Sequence, residues 1–133
     1  MDIQQMTQAA RQAAGVMATL GSEDKNRALR AISAALVAHA DRIVAANAAD
    51  LRRSGEEGLA QPLLKRLKFD RHKLEDVVSG IDSLFGLADP VGRTLLTTRL
   101  DDGLDLYRVS CPIGVIGVIF ESRPDALVQI STL

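Results

Sequence analysis

Over the first two-thirds of the chain, apolar residues recur at helical spacing. Met6, Ala10, Ala13, Met17 and Leu20 fall four and three apart, which predicts a helix from about residue 3 to the break at Gly21. Ser22 then offers an N-cap hydroxyl, Glu23 and Asp24 suit a first turn, and Leu29, Ile32 and Leu36 form a second stripe. A third helix is expected over about 38–54, with Ile43 and Leu51 on one side and Gly55 and Gly58 ending it. A short fourth holds Leu63, Leu64 and Leu67, with Pro62 tolerable only in its first turn. Asp70 can cap a fifth, in which Leu74, Val77, Val78, Ile81, Leu84 and Phe85 keep the helical period to Gly86.

The pattern changes at the turn signal Asp89-Pro90-Val91-Gly92. Residues 94–99 and 104–109 read as strands, with Asp101-Asp102-Gly103 as the hairpin loop between them. From Gly114 to Phe120 the chain is apolar without alternation, as in a parallel strand covered on both faces by helices. Pro124 suits the first position of a following helix, with Ser122 or Arg123 in the capping region and Ala126, Leu127, Val128, Ile130 and Leu133 as its apolar positions. The apolar pattern still runs at Leu133 without a glycine cap or proline stop, so the expectation is a cut sequence. A lone strand-helix unit also leaves unsatisfied sheet edges, which more chain or a partner would have to complete. The division expected is a helical region over 1–88, a hairpin over 89–110, and the start of an α/β domain over 111–133.

Composition narrows the classes of function. The chain has 133 residues, 47% of them hydrophobic and 25% charged, an ordinary globular balance. Sixteen basic residues against 17 acids leave a formal charge of -1, with no surplus to hold nucleic acid or an anionic membrane. The three Phe, one Tyr and absence of Trp offer no stacking platform for single strands. The opening residues lack the basic patch and apolar run of a secretory signal, no stretch is apolar for long enough to span a bilayer, and a cytoplasmic protein is expected. Cys111 is the single cysteine and fits neither an internal disulfide nor a zinc spacing, and His39 and His72 make no ligand pattern. No metal is expected.

Candidate chemistry gathers where the apolar strand would meet the helix. Glu121, Ser122, Arg123, Pro124 and Asp125 stand there, at the sheet edge where α/β folds bind ligands and where helix amides can hold an anion. The plainer reading is structural: Pro124 starts the helix, Ser122 or Arg123 occupies its cap position, and Glu121 is solvated. Gly114 and Gly117 do not make the dinucleotide fingerprint and read as sites of close backbone packing. Cys111 precedes Pro112 with no activating His or Asn pattern nearby, and reads as a small buried hydrophobe. The residues alone yield no reaction.

Across residues 108–125, Arg-Val-Ser-Cys-Pro-Ile-Gly-Val-Ile-Gly-Val-Ile-Phe-Glu-Ser-Arg-Pro-Asp, the sequence resembles the gamma-glutamyl phosphate reductases, also called glutamate-5-semialdehyde dehydrogenases. The match continues from Ala126 to Leu133. Lys25-Asn26-Arg27, Asn47-Ala48-Ala49-Asp50 and Leu87-Ala88-Asp89-Pro90-Val91-Gly92 are further markers in the family's order. The resemblance implies an α/β fold of the aldehyde dehydrogenase superfamily, of which this chain would be the amino-terminal piece: a helical lead-in, a β-hairpin and the first, incomplete strand-helix unit of the cofactor-binding domain. It implies NADPH-dependent reduction of L-glutamyl 5-phosphate to glutamate 5-semialdehyde in proline biosynthesis, by an enzyme that is a homo-oligomer at full length.

By the same resemblance, a cysteine beyond this chain attacks the acyl phosphate and forms a thioester that hydride then reduces. Cys111 does not match that cysteine's motif, so no catalytic residue is assigned here. Arg123 stands where the wider superfamily carries an oxyanion-stabilising Asn. It is assigned to substrate binding, a guanidinium facing an acyl phosphate, while Phe120, Glu121, Ser122 and Pro124 are assigned to the cofactor. Two other readings remain: a non-catalytic helical interaction module, and an ordinary aldehyde dehydrogenase, which the Glu-Ser-Arg-Pro loop disfavours.

Overall fold

The computed structural model describes residues 2–133. In chain order the elements are α1 (Ile3–Met17), α2 (Ser22–Ala38), α3 (Ala40–Glu56), α4 (Gln61–Leu67), α5 (Arg71–Leu84), β1 (Thr94–Asp101), β2 (Leu104–Val109) and α6 (Pro124–Thr132). They divide into two compact units. One takes the chain up to Ser22 together with Leu87–Gly117, and the other takes Glu23–Gly86 with Val118–Leu133.

The helical unit holds the core. Leu74, Val77 and Ile81 lie three and four apart along α5, so one face of that helix is buried, and Ala40 and Phe69 complete the cluster. Around it pack Leu29 and Leu36 of α2, Ile43 of α3, Phe85 and, from α6, Val128. Asp70 caps α5 by accepting from the Lys73 amide at 3.1 Å. The Lys68 ammonium, 2.7 Å away, and the Lys73 amide hold that carboxyl below its ordinary value. Asn47, buried in α3, ties down the extended chain after α4: its Nδ2 donates to the Leu67 carbonyl at 2.8 Å and its Oδ1 accepts from the Phe69 amide at 2.6 Å. Outside the core, the Arg30 guanidinium stands 5.2 Å from the centre of the Phe85 ring and Arg71 pairs with Asp41.

In the other unit β1 and β2 form an antiparallel hairpin. Gly103 takes φ 77° in the tight loop, and the register slips between Arg99 and Asp101, as expected where a left-handed glycine makes a bulge. The Gly92 amide donates to the Ser110 carbonyl and the Ser110 amide to the Arg93 carbonyl, both at 2.9 Å, closing the hairpin's base. The Ser22 hydroxyl donates to Asp89 at 3.2 Å.

One predicted helix is left uncovered and three expectations change. The apolar stripe of α1 faces solvent: Met6 and Met17 are more than half exposed, and no residue of the helix is buried. Residues 114–120 form no ladder, because the sheet consists of β1 and β2 and no described strand lies beside them. Cys111 is exposed for the same reason, since no second layer covers it. The close packing expected at Gly114 and Gly117 is also absent: a methyl group at either would meet nothing within 4 Å, and Gly114 instead supplies a positive φ of 106°.

Candidate functional site

The loop and first turn of α6 gather every residue that the sequence assigned to substrate or cofactor, all within the helical unit. Phe120 is half-buried, Glu121 exposed and Ser122 half-buried. Ser122 takes φ 52°, the one described non-glycine residue in the left-handed region, and so turns the chain sharply into the helix. Arg123 is the N-cap residue with φ -139° and ψ 75°, and Pro124 opens α6.

Arg123 does not act as a side-chain cap. Its guanidinium makes no hydrogen bond to the helix end and no ion pair among the described residues, and the residue is exposed. The plainer reading therefore holds: Pro124 opens α6, Arg123 occupies its cap position and Glu121 is exposed, while the Arg123 side chain itself makes no cap bond. A permanently charged fork stands free beside a helix amino terminus, whose partial positive charge also favours anions.

Asp125 lies in the first turn of α6, with Oδ1 accepting from the Ala126 amide at 2.9 Å and Oδ2 4.0 Å from Lys73 Nζ on α5. Sequence reasoning placed Asp125 in the loop but passed over Lys73, whose partner lies 52 residues away and leaves no mark in local spacing. Pro124 also edges an open concavity of about 340 Å³ lined by Arg42, Asn47, Asp50 and Phe69; the rest of the loop does not line it. Among the described residues there is no cluster of three or more His, Cys, Asp or Glu that could hold a metal ion, and no helix is long and apolar enough to cross a membrane. His39 and His72 are both exposed, His72 lying 3.8 Å from Asp76.

No family model matches the chain. Among curated proteins, the gamma-glutamyl phosphate reductases of Acetivibrio thermocellus and Ruminiclostridium cellulolyticum are 59% and 61% identical to it over all 133 residues. The chain spans 31% of the length of each. Among solved structures, gamma-glutamyl phosphate reductase from Saccharomyces cerevisiae superposes on 97% of this chain and 33% of its own, with TM-score 0.92 and 43% identity. The Thermotoga maritima reductase covers 93% of the chain and 30% of its own, with TM-score 0.88 and 32% identity. Sequence along the whole chain and backbone fold agree: the chain is similar throughout to gamma-glutamyl phosphate reductases and spans about a third of their length.

Proposed function

We propose that this chain supplies the substrate-facing loop of an enzyme that reduces L-glutamyl 5-phosphate to glutamate 5-semialdehyde with NADPH, a step of proline biosynthesis carried out in the cytoplasm by a homo-oligomer. The observation that carries this reading is the uncommitted guanidinium of Arg123 at the amino end of α6. An acyl phosphate is an anion with several oxygens in reach of one another, and arginine can bond two of them at once. Arg123 would bind and orient that phosphate, and the helix dipole would add to the same field.

The loop fits a nicotinamide nucleotide as one wall. Phe120 and Pro124 give half-buried apolar surface, and the turn at Ser122 leaves Glu121 beside it at the surface. No glycine-rich phosphate cradle accompanies them, so most contacts to NADPH would come from the rest of a full-length reductase. When bound, the nucleotide supplies hydride. The division into a helical region (1–88), a hairpin (89–110) and the start of the NADP-binding domain (111–133) belongs to the same proposal.

The test is Arg123→Ala and Arg123→Lys in a full-length reductase carrying this segment. Loss of a group that bonds the reacting phosphate should lower turnover by about a hundredfold or more in the alanine variant, with part of the activity kept by lysine. Near-normal turnover with a lowered melting temperature would refute the role.

A further inference from the structure

Within the helical unit α5 packs against α6. Near the start of α5, Lys73 Nζ lies 4.0 Å from Asp125 Oδ2, and the two side chains are 33% and 21% exposed. The helical pairs Arg27–Asp24 and Arg53–Asp50 are far more open, with arginines 78% and 68% exposed. Solvent screens such open pairs strongly and the more enclosed Lys73–Asp125 pair less, although at 4.0 Å it is a longer contact than the hydrogen-bonded Arg53–Asp50 pair at 2.7 Å. It is also held from both ends. The Lys73 amide is fixed by the Asp70 cap, and the other oxygen of Asp125 accepts from the Ala126 amide.

We infer that Lys73 is a positioning residue: by gripping Asp125 it fixes the first turn of α6 and so the place of Arg123, two residues earlier. The inference rests on the substrate role proposed for Arg123. Lys73 touches neither substrate nor cofactor in this scheme. A shift of a fraction of an ångström to one ångström in Arg123 would nonetheless be felt, because binding an anion at the reacting centre depends on placement.

The experiment is a cycle of Lys73→Met, Arg123→Ala and the double variant in a full-length reductase, read by kcat/KM for the acyl phosphate, KM for NADPH and thermal melting. Lys73→Met should lower kcat/KM by about tenfold and leave KM for NADPH within about twofold, while Lys73→Arg keeps most of the activity. In the Arg123→Ala background, Lys73→Met should cost less than about twofold more, since the group it positions is gone. A Lys73→Met enzyme within about twofold of the parent would overturn the inference, as would a tenfold loss undiminished in the Arg123→Ala background. If Arg123→Ala is near normal, the substrate role fails, and Lys73 does not act through that residue. Should Lys73→Met not fold, Asp125→Asn, which keeps an acceptor for the Ala126 amide, carries the same expectations.

Discussion

Asn47 does with one side chain what a neighbouring strand does with a backbone. Between α4 and α5 the chain is extended and leaves a carbonyl at Leu67 and an amide at Phe69 that must find partners, and the carboxamide of Asn47 supplies an acceptor and a donor at once. Phe69 is 3% exposed, so no water replaces the bond to its amide. Asn47→Ala should therefore cost about 1–3 kcal/mol of unfolding free energy, the desolvation penalty of a buried unpaired group, measured by urea denaturation of a full-length reductase with the parent as reference. Asn47→Asp should also destabilise, because a carboxylate would face the Leu67 carbonyl. The sequence presents Asn47 only as one letter in a run of alanines; its partners lie 20 and 22 residues away, beyond what spacing reveals. Arg123 is the opposite case. Its place between an apolar run and a helix-starting proline is written locally, and the structure adds that the guanidinium is uncommitted.

Among the elements, α5 and the hairpin differ in what their side chains do. Leu74 and Ile81 are 2% exposed in the densest part of the helical unit, whereas Leu104 in β2 is 55% exposed. Leu74→Ala should cost about 2–5 kcal/mol, since it removes buried methyl groups and leaves a cavity. On the exposure seen in this chain, Leu104→Ala should stay within about 0.5 kcal/mol. Thermal or urea unfolding of the isolated chain checks both, and equal losses would contradict the assignment of the core to the helical unit. The same contrast explains what was legible. Helix ends and stripes are local properties, so the Asp70 cap, the first-turn Pro62 and the buried face of α5 follow from spacing. The hairpin follows from its turn glycine and flanking strands. Strand character in residues 114–120 and burial of Cys111 are different in kind, because each needs a neighbour that spacing cannot supply. The stripe of α1 marks an apolar face but not what, if anything, covers it.

For the molecule as a whole, the apolar surface left in solvent is as informative as the core. Ile116 is 63% exposed and Ile119 fully so, and both belong to the run whose composition suits a strand covered on two faces. The chain spans 31% of the length of its curated relatives, so about two-thirds of such a relative lies outside these residues. Chemistry is scarcer still. The acyl-transfer step that the family resemblance implies needs an activated thiol, and Cys111 is exposed with no His or Lys bonded to it among the described residues. Arg123 can hold an anion but cannot supply a nucleophile. The isolated 133-residue chain should therefore show no reductase activity and no micromolar affinity for NADPH. Two measurements check this: semialdehyde-dependent reduction of NADP with the purified chain, and calorimetric titration with NADPH. Turnover in the first would mean that a nucleophile exists within these residues. Micromolar binding in the second would mean that the loop around Ser122 and the α6 amino terminus hold the nucleotide without the glycine-rich contacts on which such sites ordinarily depend.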